Sequence, residues 1–162
     1  MKKLLAIVLA ACLTLTLVAC GGAPSSTPAS GSASGSTAAA VSGDANVAVF
    51  YYTYSDTYIS SVRSALDAKL DEMGVTYQDF DGAGQQTTQT EQVKTAITNG
   101  ATVLLVNLVE TASDDAANEI VSAAKDADIP VIFFNREVSN AVVNSYEKCA
   151  SVGTEAGQAG HL

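Results

Sequence analysis

Four of the six tyrosines in this 162-residue chain fall within Tyr51–Tyr58, the octapeptide YYTYSDTY, around Asp56. Further along stand Asn107, in VLLVNL, and the run Asn135-Arg136-Glu137, in VIFFNRE. A carboxylate accepts two hydroxyl protons at once, a carboxamide both donates and accepts, and arginine donates in a fork. An aromatic ring offers its face to C–H groups. Together these groups suit an uncharged, polyhydroxylated ligand such as a sugar, held without reaction.

Other chemistries fit less well. A Ser-His-Asp or Cys-His centre needs a histidine, and the only one is His161, beside the last residue. A dinucleotide site wants a glycine-rich turn after its first strand, and YTYSDTY has no glycine. Asp81-Gly82-Ala83-Gly84 reads as a plain turn, and Ser145-Tyr146-Glu147-Lys148 matches S-x-x-K without the partner motifs. Asp56 and Asp81 could build an acidic phosphoryl-acceptor pocket, but an exported protein meets no ATP-derived donor. No nucleophile or base stands out, so binding rather than catalysis is expected.

These residues need elements to bring them together. Apolar runs begin at Val47, Val75, Val103 and Val131, each 28 residues after the last, short and rich in β-branched or aromatic residues as strands are. Between them, Ile59, Val62, Leu66, Leu70 and Met73 fall at helical spacing before Gly74. Val93, Ala96 and Ile97 repeat the pattern up to Asn99-Gly100, and Ala116, Ala117, Ile120, Val121 and Ala124 do so before Ile129-Pro130. Strand, helix, strand at this period predicts parallel βαβ units with right-handed crossovers. The fold class is therefore α/β, a doubly wound, Rossmann-like parallel sheet, with a fifth strand at Cys149–Val152 and a helix starting after Gly153-Thr154.

In such a sheet ligands bind beyond the carboxyl ends of the strands. That edge collects Tyr54, Ser55, Asp56 and Tyr58 after the first strand, Asp79, Asp81 and Gly82 after the second, Asn107 after the third, and Asn135, Arg136 and Glu137 after the fourth. Plainer roles stand beside these. Tyr51 and Tyr52 read as the buried end of the first strand, and Asp56 could be only a helix N-cap for the amides at 58 or 59. Asn107 could merely terminate its strand, and Arg136 could be an exposed charge.

The first 43 residues are of another kind. Met1-Lys2-Lys3 precedes an uncharged apolar run, Leu4 to Ala19, that is too short for a stable span and reads as a secretory signal. It ends in Leu17-Val18-Ala19-Cys20 and then Gly21-Gly22, a pattern resembling the bacterial lipobox, with Cys20 as the lipidated first residue. Gly21 to Gly43 is almost wholly Gly, Ala, Ser, Thr and Pro, a flexible tether whose 23 residues span roughly 25–30 Å. The expected organisation is signal over 1–20, tether over 21–43 and folded domain over 44–162. Past the signal, six basic residues face 17 acidic ones, a net −11 that argues against nucleic acid as a partner. Cys149 is the domain's only cysteine, so no intramolecular disulfide or cysteine-rich metal site is expected.

The segments YYTYSDTYISSVRSAL, ATVLLVNLVE, IPVIFFNRE and NSYEKCASVGTEAGQAG follow the order and spacing of the galactose/glucose-binding proteins. These are type I periplasmic-type binding proteins of sugar ABC transporters, and the resemblance covers Val47 to Leu162. It implies that Asp56 holds sugar hydroxyls, that Tyr58 stacks on one sugar face, and that Asn107 hydrogen-bonds a hydroxyl. Asn135 and Arg136 occupy a strand-end pair that related ribose binders use, and are of second rank. The resemblance implies a hexose, galactose or glucose, as ligand and a membrane permease as partner, with the protein monomeric and lipid-anchored outside the cytoplasm. The family has two lobes and about twice this length, so the chain is expected to be a fragment carrying the first lobe. The family's calcium site would belong to the second lobe, so neither metal nor cofactor is expected here. A sugar-sensing lipoprotein that signals to a membrane receptor on the same fold stays open as the alternative.

Overall fold

The computed structural model describes residues 45–153; the signal, the tether, Cys20 and the helix expected after Gly153 lie outside them. Five strands alternate with four helices: β1 Asn46–Tyr51, α1 Thr57–Glu72, β2 Thr76–Asp81, α2 Gln86–Thr98, β3 Val103–Val106, α3 Asp115–Asp126, β4 Val131–Phe134, α4 Asn140–Val143 and β5 Cys149–Val152. The strands form one all-parallel sheet in the order β2-β1-β3-β4-β5. The doubly wound sheet and the fifth strand are thus as expected. The short helix α4 carries too few apolar positions to show a period in the sequence.

Local chemistry sets the boundaries. Asp56 caps α1 by accepting the Ile59 amide at 2.9 Å, and the helix ends where Gly74 takes φ +64°, a conformation that only glycine adopts without strain. After β2 the backbone passes so close to β1 that a Cβ at Gly82 would lie 3.0 Å from the Tyr51 carbonyl oxygen. Its amide donates to that same oxygen at 2.8 Å, so a side chain there would part the ends of β1 and β2.

Strand order and handedness decide the layers. The chain steps from β1 outward to β2, then returns across β1 to β3, β4 and β5. Right-handed crossovers in opposite directions put α1 on one face and α2 to α4 on the other. Ala48, Phe50, Leu104, Val106, Val131 and Phe133 point to the second face and join Val93, Ala96, Ala117, Ile120, Val121, Ala124 and Val142 in one core. Val47, Val49 and Tyr51 point the other way, against Ile59, Leu66 and Leu70 of α1. The apolar strands predict full cover on both faces, but α1 alone does not reach across the sheet. An apolar groove of about 450 Å³ remains beside it, lined by Val62, Leu66, Leu105, Ile132, Phe134 and Val152.

Candidate functional site

The order reverses between β1 and β3, so the loops after these strands part and leave a crevice at the carboxyl edge. Asp56 stands on its β1 side, at the start of α1. Oδ1 accepts the Ile59 amide and Oδ2 accepts the Tyr52 hydroxyl at 2.7 Å. These two bonds, the amide foremost, hold its carboxyl below the usual aspartate range. The same bond pushes the Tyr52 phenol up. Asp56 is therefore both the N-cap and a fixed carboxylate, and each of its oxygens keeps a lone pair for a further donor.

Tyr52 lies past the end of β1 and is half-buried at the margin of the α1 core, whereas its neighbour Tyr51 is fully buried within it. The Arg136 guanidinium stacks over its ring, with Cζ 4.6 Å from the centroid. Arg136 Nη1 in turn donates to the carbonyls of Leu108, at 2.8 Å, and Val109. Arginine, ring and carboxylate thus form one connected row across the edge, from the end of β4 to the start of α1. Sequence reasoning placed Tyr52 in the buried strand. The available signal was the strand's length: with β1 ending at Tyr51, the rule that selected Tyr54 selects Tyr52 as well.

The other predicted residues divide. Asn135 is exposed at the end of β4, with φ +66°, a left-handed conformation that asparagine tolerates better than most residues. Its Oδ1 accepts from Asn107 Nδ2 at 3.2 Å. Tyr58 is 63% exposed on the first turn of α1, free to meet a ligand and held by no other ring. Asn107 departs from the expectation of direct contact, because its side chain is fully buried. Oδ1 accepts the Tyr52 amide, and Nδ2 donates to the Phe134 carbonyl and to Asn135. Its amide ties the ends of β1, β3 and β4 together and reaches the crevice only through Tyr52 and Asn135.

The acidic residues expected after the second strand lie inside β2, at its end, and do structural work. Asp81 Oδ1 accepts the amides of Tyr54 at 3.1 Å and Ala83 at 2.8 Å, closing the turn around Gly82. Asp79 points to the α1 face beside Asp67, and Tyr54 turns that way too, under the Arg63 guanidinium at 3.9 Å. Between the loops after β3 and β4, Thr111, Asp114, Glu137, Val138 and Ser139 line a polar recess of about 390 Å³. Among the described residues no helix is long and apolar enough to cross a membrane.

A five-stranded parallel sheet of this order, with a hydrogen-bonding crevice at its switch point, is a doubly wound α/β unit placed to bind a ligand at its carboxyl edge. The chain belongs to the periplasmic binding protein family, whose domain matches residues 47–162. It is 33% identical over 123 residues to the D-galactose/methyl-galactoside binding periplasmic protein MglB of Haemophilus influenzae, covering 75% of this chain and 36% of that one. A solute binding protein of an ABC transporter from Bacillus halodurans, solved with bound myo-inositol, superposes with TM-score 0.60 at 25% identity, over 71% of this chain and 38% of that one. A galactofuranose binding protein shares the fold, with TM-score 0.57 at 18% identity, over 66% of this chain and 35% of that one. The chain spans about a third of the length of each of these relatives.

Proposed function

We propose that this chain carries the first lobe of an extracytoplasmic sugar-binding lipoprotein, which takes a hexose, galactose or glucose, and delivers it to an ABC permease. The observation that carries the reading is the row Arg136–Tyr52–Asp56 at the switch point of the sheet. A fixed carboxylate with a lone pair left on each oxygen takes hydroxyl protons, Asn135 offers an amide, and the exposed ring of Tyr58 offers an apolar face. Arg136, Asp56 and Asp81 already have partners within the chain, which favours an uncharged ligand over a sugar acid or phosphate. Two relatives, one named for binding galactose and methyl-galactoside and one holding an inositol, support a polyhydroxylated ring.

In this reading Cys20 carries the lipid and the 23-residue tether lets the lobe stand off the membrane. The reading invokes no cofactor and no chemical step. Titration calorimetry of galactose, glucose and ribose into the full gene product tests it. We expect a hexose to bind and Asp56→Ala to weaken it at least about a hundredfold, because a hydroxyl would lose a charged partner in a closed site. Absence of heat with every monosaccharide would overturn the function, and unchanged affinity in the variant would overturn the site. Cys20→Ser should move the protein from the membrane fraction to the soluble one.

A further inference from the structure

The inward stripe of α2 is apolar along most of its length but begins with amides. Val93, Ala96 and Ile97 continue backwards at helical spacing to Gln89 and Gln86. Gln89 is fully buried. Its Nε2 donates to the Asn107 carbonyl and its Oε1 accepts the Val109 amide, both at 3.0 Å. One carboxamide therefore spans Leu108 and satisfies the backbone groups on either side of it. Gln86 Oε1 accepts the next amide, that of Glu110, at 2.9 Å, while its own nitrogen donates to Thr90. On the β2 side, Gln92 donates to the Asp81 carbonyl at 2.8 Å.

The segment so held is the one on which Arg136 rests. Leu108 and Val109 supply the two carbonyls that receive its guanidinium, and Asn107 supplies the amide that fixes the Tyr52 backbone. A glutamine in a helix interior is a costly choice for a fully buried site unless both ends of its amide are satisfied, as they are here. We propose that Gln89, backed by Gln86, is a positioning residue for the sugar site: it sets the backbone of 107–110 so that Arg136 stays over Tyr52 and Tyr52 stays on Asp56. The proposal rests on the reading of this edge as the sugar site. Its geometry follows from topology, because α2 crosses above β1 from β2 to β3 and so reaches the loops on both sides of the crevice.

In arginine-labelled protein the Nε–H signals of Arg63 and Arg136 are assigned by their loss in Arg63→Lys and Arg136→Lys. In Gln89→Met, which keeps the length and loses both bonds, the Arg136 signal should shift and broaden while that of Arg63, over Tyr54, stays in place. Hexose affinity should fall about tenfold, or about 1.4 kcal/mol, as Arg136 loosens over Tyr52. The loss should shrink in an Arg136→Lys background, because the two residues act through one contact. An unmoved Arg136 signal, or fully additive losses, would overturn the proposal. If Gln89→Met does not fold, Gln86→Met decides, since it frees only the exposed Glu110 amide and the Thr90 hydroxyl and leaves both Gln89 bonds in place. A smaller shift of the same signal supports the proposal, and none overturns it. If the wild type binds no monosaccharide, the functional reading falls by itself, while the arginine signals still report whether Gln89 positions Arg136.

Discussion

The two faces of the sheet are made by alternate residues of the same strands, yet they are closed very differently. On the side of α2, α3 and α4, Leu104, Val106, Val131 and Phe133 are all at 0% exposure. Their neighbours Leu105, Ile132 and Phe134 point towards α1 and are only half-buried. The α1 face also buries a carboxyl cluster, whereas the buried polar side chains on the α2 side are amides and a hydroxyl. Asp67 and Asp79 approach each other between α1 and β2, with a buried oxygen of each, and the Tyr51 hydroxyl, lacking a partner among the described residues. Burial first, and then the neighbouring Asp67, push the Asp79 carboxyl from 3.8 up to about 6. Residue pattern alone does not finish a face. The number of helices that connectivity puts on each side does, and one helix cannot cover what three can.

Cavity formation gives the sharpest contrast. Phe133→Ala should cost about 3–5 kcal/mol in urea unfolding, while Phe134→Ala, next to it but on the groove, should cost about 1–2 kcal/mol because less area leaves water there. Equal losses would mean that the groove is closed in solution.

The carboxyl pair gives a smaller, pH-dependent effect. The folded pKa of Asp79 lies above its unfolded value, so its contribution is fully present below about pH 4 and is lost as pH rises through about 6. Asp67 from α1, Arg63 from α1, and Tyr51 from β1 face this group, and of these only Arg63 opposes the shift or the charge repulsion. The difference in unfolding midpoint between wild type and Asp79→Asn should therefore change across pH 4–6 in favour of the variant at the higher pH. A flat difference would mean that the fold does not raise the Asp79 carboxyl.

The least effect separates adjacent tyrosines. Tyr51→Phe removes a buried hydroxyl that has no partner and should leave stability unchanged or slightly raised. Tyr52→Phe breaks the bond to Asp56 and should cost about 1 kcal/mol in the same denaturation series. The reverse order would place the Tyr51 hydroxyl in a hydrogen bond within the carboxyl cluster.

Much of the fold was legible in the chain. The 28-residue rhythm of apolar runs placed the strands, Gly74 and Asn99-Gly100 marked helix ends, and the edge rule gathered Asp56, Asn135 and Arg136. Asp56 carries two meanings in the sequence, cap and ligand group, and its two oxygens allow both. Tyr52 and Asn107 could not be read in the same way. Each sits within one residue of a strand end, where the side chain's direction depends on where pairing stops and on which neighbour offers a partner. Gln89 was hidden for a related reason, since a glutamine in a helix is ordinarily a surface residue and only the loop across from it makes its burial favourable.

Composition, periodicity and turn residues act over a few residues, and so the sequence by itself determined the elements, their parallel arrangement and the chemistry collected at one edge. Whether Asn107 looks outward or inward, whether Tyr52 belongs to the core or to the crevice, and which face α1 leaves open were decided by contacts between residues some 25 to 55 positions apart. Those contacts exist only once β1, β3 and β4 lie side by side, because a buried amide takes whichever partners the assembled sheet presents to it.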